Sequence, residues 1–233
     1  VSERVIVFDM DGVLVDPTES FRRAALEVVE RLAGRPGSPD RIIEIKNEGG
    51  YNDDADVALR MIRELGGTAS REDVERLGWE IFWGEGGEGF IQRERWLVEG
   101  DLLERLAAQA RLAVFTGRGR RTAGHTLARF APEIVFDPIV TSSELENLKP
   151  APDGLLRVRE AHPEAEIVFV GDNIDDARAA RAADVPFIGV AESGLHQRDE
   201  IVRLFARENA RVVIESVNQI EQAVDAAFAT ARA

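Results

Sequence analysis

Val5-Ile6-Val7-Phe8-Asp9-Met10-Asp11-Gly12-Val13 decides the architecture of this chain. Four β-favouring apolar residues run straight into two carboxylates and a glycine. So short an apolar run, closed by a turn signal, reads as a strand buried on both faces. Carboxylates at i and i+2 point the same way in a regular strand. Leaving the strand lets Asp9 and Asp11 diverge around one reacting centre, and Gly12 permits a tight backbone there. By itself this Asp-x-Asp-Gly is also compatible with a calcium-type loop or a plain turn.

Outward from this stretch the same pattern recurs. Leu112–Phe115, Ile167–Val170, Phe187–Val190 and Val212–Ile214 are short apolar runs. Each leads through a loop into an amphipathic or Ala-rich stretch, such as Arg120–Phe130, Ile174–Ala183, Gln197–Glu208 and Val217–Ala229. Strands alternating with helices predict an α/β fold, a Rossmann-like parallel sheet with helices on both faces. The interval from Pro17 to Glu99 differs. Glu19–Leu32, Pro39–Lys46, Asp54–Leu65 and Arg71–Phe82 all carry a helical pattern, punctuated by glycine-rich breaks. The expectation is an α/β core of residues 1–16 and 100–233 with an all-helical cap domain, 17–99, inserted after the first strand. Gly84–Gly89 superficially resembles a phosphate loop, but it follows no strand and carries two carboxylates, so it reads as a flexible cap loop.

The 233 residues carry 29 Lys+Arg against 43 Asp+Glu, a net charge of −14. This balance disfavours nonspecific nucleic-acid binding and anionic membranes. With no cysteine, disulfides, thiolate nucleophiles and Cys-ligated metal sites are excluded. The apolar runs are far short of the roughly 20 residues a membrane helix needs. Ser2–Arg4 with Val5–Phe8 is too short for a signal peptide. A cytoplasmic protein is expected, with its oligomeric state left open. Lysine occurs only at Lys46 and Lys149, so 27 of the 29 cations are arginine. Against that background a lysine reads as marking a place where arginine does not serve, although genome composition also produces such a bias.

Three further stretches at strand ends carry candidate chemistry. Thr116-Gly117-Arg118 offers a hydroxyl and a bare glycine amide ahead of a helix, a small anion site or else a threonine helix cap. In Asn147-Leu148-Lys149-Pro150-Ala151-Pro152-Asp153 a compact ammonium sits in a loop stiffened by prolines. It suits neutralising a phosphate and a carboxylate together, although a surface lysine in a turn has the same local sequence. Gly171-Asp172-Asn173-Ile174-Asp175-Asp176 places three carboxylates within five residues. Crowded like charges raise one another's pKa unless a cation is present, and an all-oxygen donor set points to Mg²⁺. Dipole preferences at a helix N-terminus also explain Asp175 and Asp176. They explain Asp172 less well.

Together, in this order, these stretches resemble the four motifs of the haloacid dehalogenase-like hydrolase superfamily. Asp9-x-Asp11 is similar to the first motif, Thr116 to the second, Lys149 to the third and Gly171-Asp172-x-x-x-Asp176 to the fourth. Phe136-Asp137-Pro138-Ile139-Val140-Thr141-Ser142 leading into Lys149 resembles the subfamily I pattern, whose helical cap lies between the first two motifs. The resemblance implies an Mg²⁺-dependent phosphatase acting through an aspartyl-phosphate on a small phosphorylated metabolite, phosphoglycolate-like or a sugar phosphate. Asp9 would be the nucleophile and a metal ligand. Asp11 would be the general acid and base, with its carbonyl on the metal. Thr116 and Gly117 would bind phosphate oxygens, and Lys149 would hold Asp9 and the phosphate together. Asp172 would bind Mg²⁺ directly and Asp176 would support that site from behind, with Asp175 further out. Dehalogenases and phosphonatases of the family lack the second acid, so Asp11 favours phosphate esters. A phosphomutase of the β-phosphoglucomutase type keeps both acids, and a non-catalytic binding protein of the same fold is the reading of another class. The chain departs from the family at Asp184, where a helix-ending glycine is common.

Specificity is expected in the cap. Lys46-Asn47-Glu48-Gly49-Gly50-Tyr51-Asn52-Asp53-Asp54 joins the second lysine to a Gly-Gly break; Lys46 and Asn52 are the candidate substrate contacts, and a solvated turn between helices is the alternative. Trp79, Phe82 and Trp83 read as cap core rather than as rings that stack on substrate. Arg118 and Arg120 read as surface residues, with a place near the phosphate entrance as the alternative, and His125, His162 and His196 read as structural or surface.

Overall fold

The computed structural model describes residues 3–229. The chain divides into two compact units. One comprises the residues up to Val15 and from Trp96 onward, the other Asp16–Arg95. In chain order the strands are β1 (Arg4–Phe8), β2 (Val15–Asp16), β3 (Arg95–Trp96), β4 (Arg111–Phe115), β5 (Phe136–Val140), β6 (Glu166–Gly171), β7 (Phe187–Val190) and β8 (Val212–Ile214). The helices are α1 (Arg23–Ala33), α2 (Pro39–Glu48), α3 (Asp54–Glu64), α4 (Arg71–Phe82), α5 (Leu102–Ala107), α6 (Arg120–Phe130), α7 (Asp153–Ala161), α8 (Ile174–Ala182), α9 (Arg198–Arg207) and α10 (Ile220–Ala229).

Six strands form one sheet in the order β5-β4-β1-β6-β7-β8, and every neighbouring pair is parallel. This is the Rossmann-like α/β fold. Both faces of the sheet are covered. Ile6, Phe8, Leu112, Val114, Val168 and Val170 join one buried cluster, while Val5, Val7, Ala113, Phe115, Ile167 and Phe169 join another. Successive residues of a strand alternate between two cores, so the strands must be apolar throughout. Each large side chain of β1 contributes on the order of 1.5–3 kcal/mol by leaving water. The edge strand β5 is the one that apolar runs alone do not single out. Its second and third residues are Asp137 and Pro138, and a proline inside a strand is tolerated at an edge, where no ladder bond is lost.

Chain order reverses at the centre of the sheet. From β1 the chain builds out through β4 to β5, and from β6 it builds the other way. The crevice between the carboxyl ends of β1 and β6 is therefore the switch point where ligands bind in open α/β sheets.

The second unit has a core of its own, including Val28, Val29, Ile42, Ile45, Val57, Ile62, Phe82 and Trp83. Asp53 caps α3 by accepting from Ala55 N (2.8 Å), and Ser70 caps α4 by accepting from Asp73 N (3.1 Å). A five-residue π-helix, Thr18–Arg22, precedes α1. Phe82 and Trp83 are core, but Trp79 is not: it is 42% exposed and stacks on Trp83 with ring centroids 5.3 Å apart. An i, i+4 aromatic pair needs only one ring buried to be held in place. The backbone at Asp184 is left-handed, φ 53°, so this residue takes the conformation in which glycine is common.

Candidate active site

Four strand ends converge in sequence order. β1 delivers Asp9 and Asp11, β4 delivers Thr116 and Gly117, β5 leads to Lys149, and β6 delivers Asp172 and Asp176. Asp9 extends the β1–β6 pairing by donating its N–H to Val170 O at 2.8 Å. The loop that follows closes on Met10, whose carbonyl accepts from Leu14 N (2.8 Å) and Val15 N (2.9 Å). Gly12 has φ +74°, and a Cβ there would stand 1.9 Å from Asp172 Oδ2. Only glycine lets the β1 loop lie against the Asp172 carboxylate.

Lys149 is the centre of charge. Its Nζ is 3.0 Å from Asp9 Oδ1 and 2.8 Å from Asp176 Oδ1, and all three side chains are buried. The rings of Phe115 and Phe169 stand 4.7 and 5.2 Å from the ammonium and wall it off from water. Asp176 is held by the start of α8. Its Oδ2 accepts from Asp172 N (3.1 Å) and Asn173 N (3.2 Å), while Asn173 Oδ1 accepts from Asp175 N and Asp176 N. This reciprocal capping box fixes the carboxylate. The helix cap and the ion pair are thus one arrangement. Asp175 is buried and lies 3.4 Å from Arg178 Nη1.

The carboxylates are under electrostatic pressure. Burial pushes Asp9 up to about 8; Lys149 opposes this, while Asp176, Asp172 and Asp11 add to it. Burial alone would push Lys149 down, yet Asp176 and Asp9 outweigh it and raise the ammonium above its ordinary value. One lysine does not neutralise this group of acids. Among the described residues, oxygens of Asp9, Asp172 and Asp176 lie within 4.8 Å of one another, the arrangement of a site able to hold a metal ion. Its all-oxygen donor set suits a hard divalent cation.

Thr116 is buried, donates its N–H to Val140 O (3.0 Å) and accepts at Oγ1 from Arg118 N (3.2 Å). The Asp11 carboxylate is outside the Asp9–Asp172–Asp176 cluster and is gripped instead by Arg118. Nε reaches Oδ2 at 2.9 Å and Nη2 reaches Oδ1 at 2.6 Å. The expectation of a surface position for Arg118 is therefore corrected. A guanidinium buries when every direction of its fork finds an acceptor. The signal available in the sequence was its place directly after Thr116-Gly117. Arg120 is exposed and pairs with Glu144 (2.9 Å). Buried His162 meets Asp137 O at 2.9 Å. Lys46 and Asn52 lie in the second unit, where Lys46 Nζ is 2.7 Å from Asp54 Oδ1.

A family model described as haloacid dehalogenase-like hydrolase matches residues 3–184. The chain belongs to the haloacid dehalogenase-like hydrolases. The chain is 26% identical over 224 residues to a phosphoglycolate phosphatase from Pseudomonas fluorescens, covering 93% of this chain and 78% of that protein. It is 24% identical over 197 residues to a phosphoglycolate phosphatase from Psychrobacter arcticus, covering 82% of this chain and 84% of that one. The fold is similar to the crystal structure of a HAD hydrolase, family IA, variant 3, from Entamoeba histolytica, with TM-score 0.69 and 19% identity, covering 96% of this chain and 99% of that one. Among the described residues no helix is long and apolar enough to cross a membrane.

Proposed function

We propose that this hydrolase is an Mg²⁺-dependent phosphatase of a small phosphorylated metabolite, phosphoglycolate-like or a sugar phosphate, working through an aspartyl-phosphate. The observation that carries the reading is the buried Lys149 ammonium shared between Asp9 and Asp176 at the β1–β6 crevice. A dry cation beside a carboxylate is what in-line phosphoryl transfer asks for, since that reaction depends on positioning and charge neutralisation.

Asp9 attacks phosphorus as the bond to the leaving oxygen breaks, and Asp11 gives that oxygen its proton. Water then attacks the aspartyl-phosphate and yields its proton to Asp11. The phosphorus–oxygen bond to Asp9 breaks, releasing phosphate and restoring both carboxyl groups. One residue thus serves as acid and then as base. Thr116 and the Gly117 amide hold phosphate oxygens, and Lys149 aligns Asp9 with them. Asp9, Asp172 and the Asp11 carbonyl would hold Mg²⁺, with Asp176 orienting the site through its hydrogen bonds. Bound there, the ion supplies the positive charge the acids lack. In the second unit we assign Lys46 and Asn52 to substrate discrimination. An unchanged kcat/KM on the best substrate for Lys46→Ala removes Lys46 from that role.

The deciding experiment is release of phosphate from p-nitrophenyl phosphate with Mg²⁺, abolished by Asp9→Asn. Folded, Mg²⁺-loaded protein that turns over no ester overturns the reading. A screen of phosphorylated metabolites then separates hydrolysis from isomerisation and names the substrate.

A further inference from the structure

We propose that Arg118 is the positioning residue for Asp11, an inference that rests on Asp11 being the proton-transfer group. Three observations carry it. The Arg118 side chain is 1% exposed, whereas that of its partner Asp11 is 30% exposed and open to a reactant. The guanidinium is held from behind by Thr126, whose Oγ1 accepts from Nη1 at 2.9 Å. The Arg118 backbone is fixed as well, with its N–H on Thr116 Oγ1 at 3.2 Å and its carbonyl accepting from Ser142 N at 3.0 Å.

The loop at Met10 fixes the Asp11 backbone, and its side-chain torsions need a restraint of their own. The two-point contact from Arg118 supplies such a restraint, because a planar fork on a planar carboxylate specifies orientation as well as distance. It occupies two of the roughly four lone-pair sites of the carboxylate, one on each oxygen. Arg118 is also the residue after Gly117, so the segment offered to the phosphate and the residue offered to the leaving oxygen are tied together. The two halves of hydrolysis need Asp11 in one place for two different oxygens, and a shared rigid anchor provides that. Lysine, a point charge on a flexible stem, does not reproduce the fork.

The test is steady-state turnover of p-nitrophenyl phosphate with Mg²⁺ by wild type, Arg118→Lys, Asp11→Asn and the double variant, with thermal melts to establish folding. Misplacement of this kind is expected to lower kcat about 10- to 100-fold in Arg118→Lys, with KM within about threefold. In the Asp11→Asn background the same change is expected to cost less than about twofold, because there is no carboxylate left to position. Equal losses in both backgrounds, or a kcat within about twofold of wild type for Arg118→Lys, overturn the proposal. Arg118→Ala with added guanidinium is the second measurement. Recovery of kcat that Asp11→Asn does not share supports it, and no recovery in a folded variant counts against it. Wild type that releases no phosphate overturns the phosphatase reading and this one with it. An active wild type indifferent to Arg118→Lys overturns this one alone.

Discussion

Two groups of ion pairs, one in each unit, show what the same charges do in different surroundings. At the crevice, Lys149, Asp9 and Asp176 are buried. In the second unit, Arg41 reaches Glu64 at 2.7 Å and Glu44 at 2.9 Å, while Arg60 holds Glu48 and reaches Glu64 at 3.0 Å, all partly exposed. Burial drives Asp9 up, whereas the contact from Arg41, joined by Arg60, pulls Glu64 down to about 2. A carboxylate beside a cation is held charged where water shares the work and is strained where water is excluded. A buried cluster of this kind is costly, on the order of several kcal/mol per ion, and its persistence points to use. The exposed network has no such cost and correspondingly little worth.

The sharpest break in this contrast comes from the chemistry. Asp9→Asn is expected to lower phosphate release by about 10,000-fold or more, since without the nucleophile its partners have nothing to assist. Next is Lys149→Met, which strands two buried carboxylates. Urea unfolding without metal should show a loss of about 3–5 kcal/mol, with part of it restored by Mg²⁺. A loss under about 1 kcal/mol would put this cluster in the same class as the surface pairs. Gly12→Ala, whose Cβ would push into Asp172, should weaken Mg²⁺ affinity about 10- to 100-fold, read from the metal dependence of the melting temperature. Unchanged affinity would mean that Asp172 does not hold the ion.

The smallest effect belongs to the exposed network. Glu64 has its folded pKa near 2 against an ordinary 4.5, so its contribution is complete above about pH 4.5 and fades as the pH falls toward 2. Because Glu64 is partly exposed, Glu64→Gln should cost only about 0.5 kcal/mol at pH 7, less in high salt and nothing near pH 2. A cost that persists at pH 2 would show packing rather than charge.

Much of the fold is legible in the chain. Val5–Phe8, Leu112–Phe115, Ile167–Val170, Phe187–Val190 and Val212–Ile214 all lie in strands of the sheet, because a strand buried on both faces must be apolar without interruption. Arg71–Phe82 and Arg120–Phe130 are helices over the residues their periodicity marks. The edge strand β5 is obscured by Asp137-Pro138, which an edge position tolerates. Of the candidate site, the oddity of Lys149 in an arginine-rich chain is legible, and the structure gives it two buried carboxylates. The burial of Arg118 is not legible. Its place directly after Thr116-Gly117 sets it beside the site, but its carboxylate partner, Asp11, is 107 residues away, so the pairing that buries it is not written locally.

By itself, then, the sequence determined the inner strands, most of the longer helices and which charged residues stand at strand ends. Those are short-range properties, written in the periods of side-chain burial. Only the tertiary structure decided that β1 lies beside β6, so that Asp9 and Asp176 share one ammonium and Gly12 makes room for Asp172. It also decided that Arg118 faces inward to grip Asp11. Burying a charge depends on finding a partner, and the partner comes from a strand or loop distant in the chain.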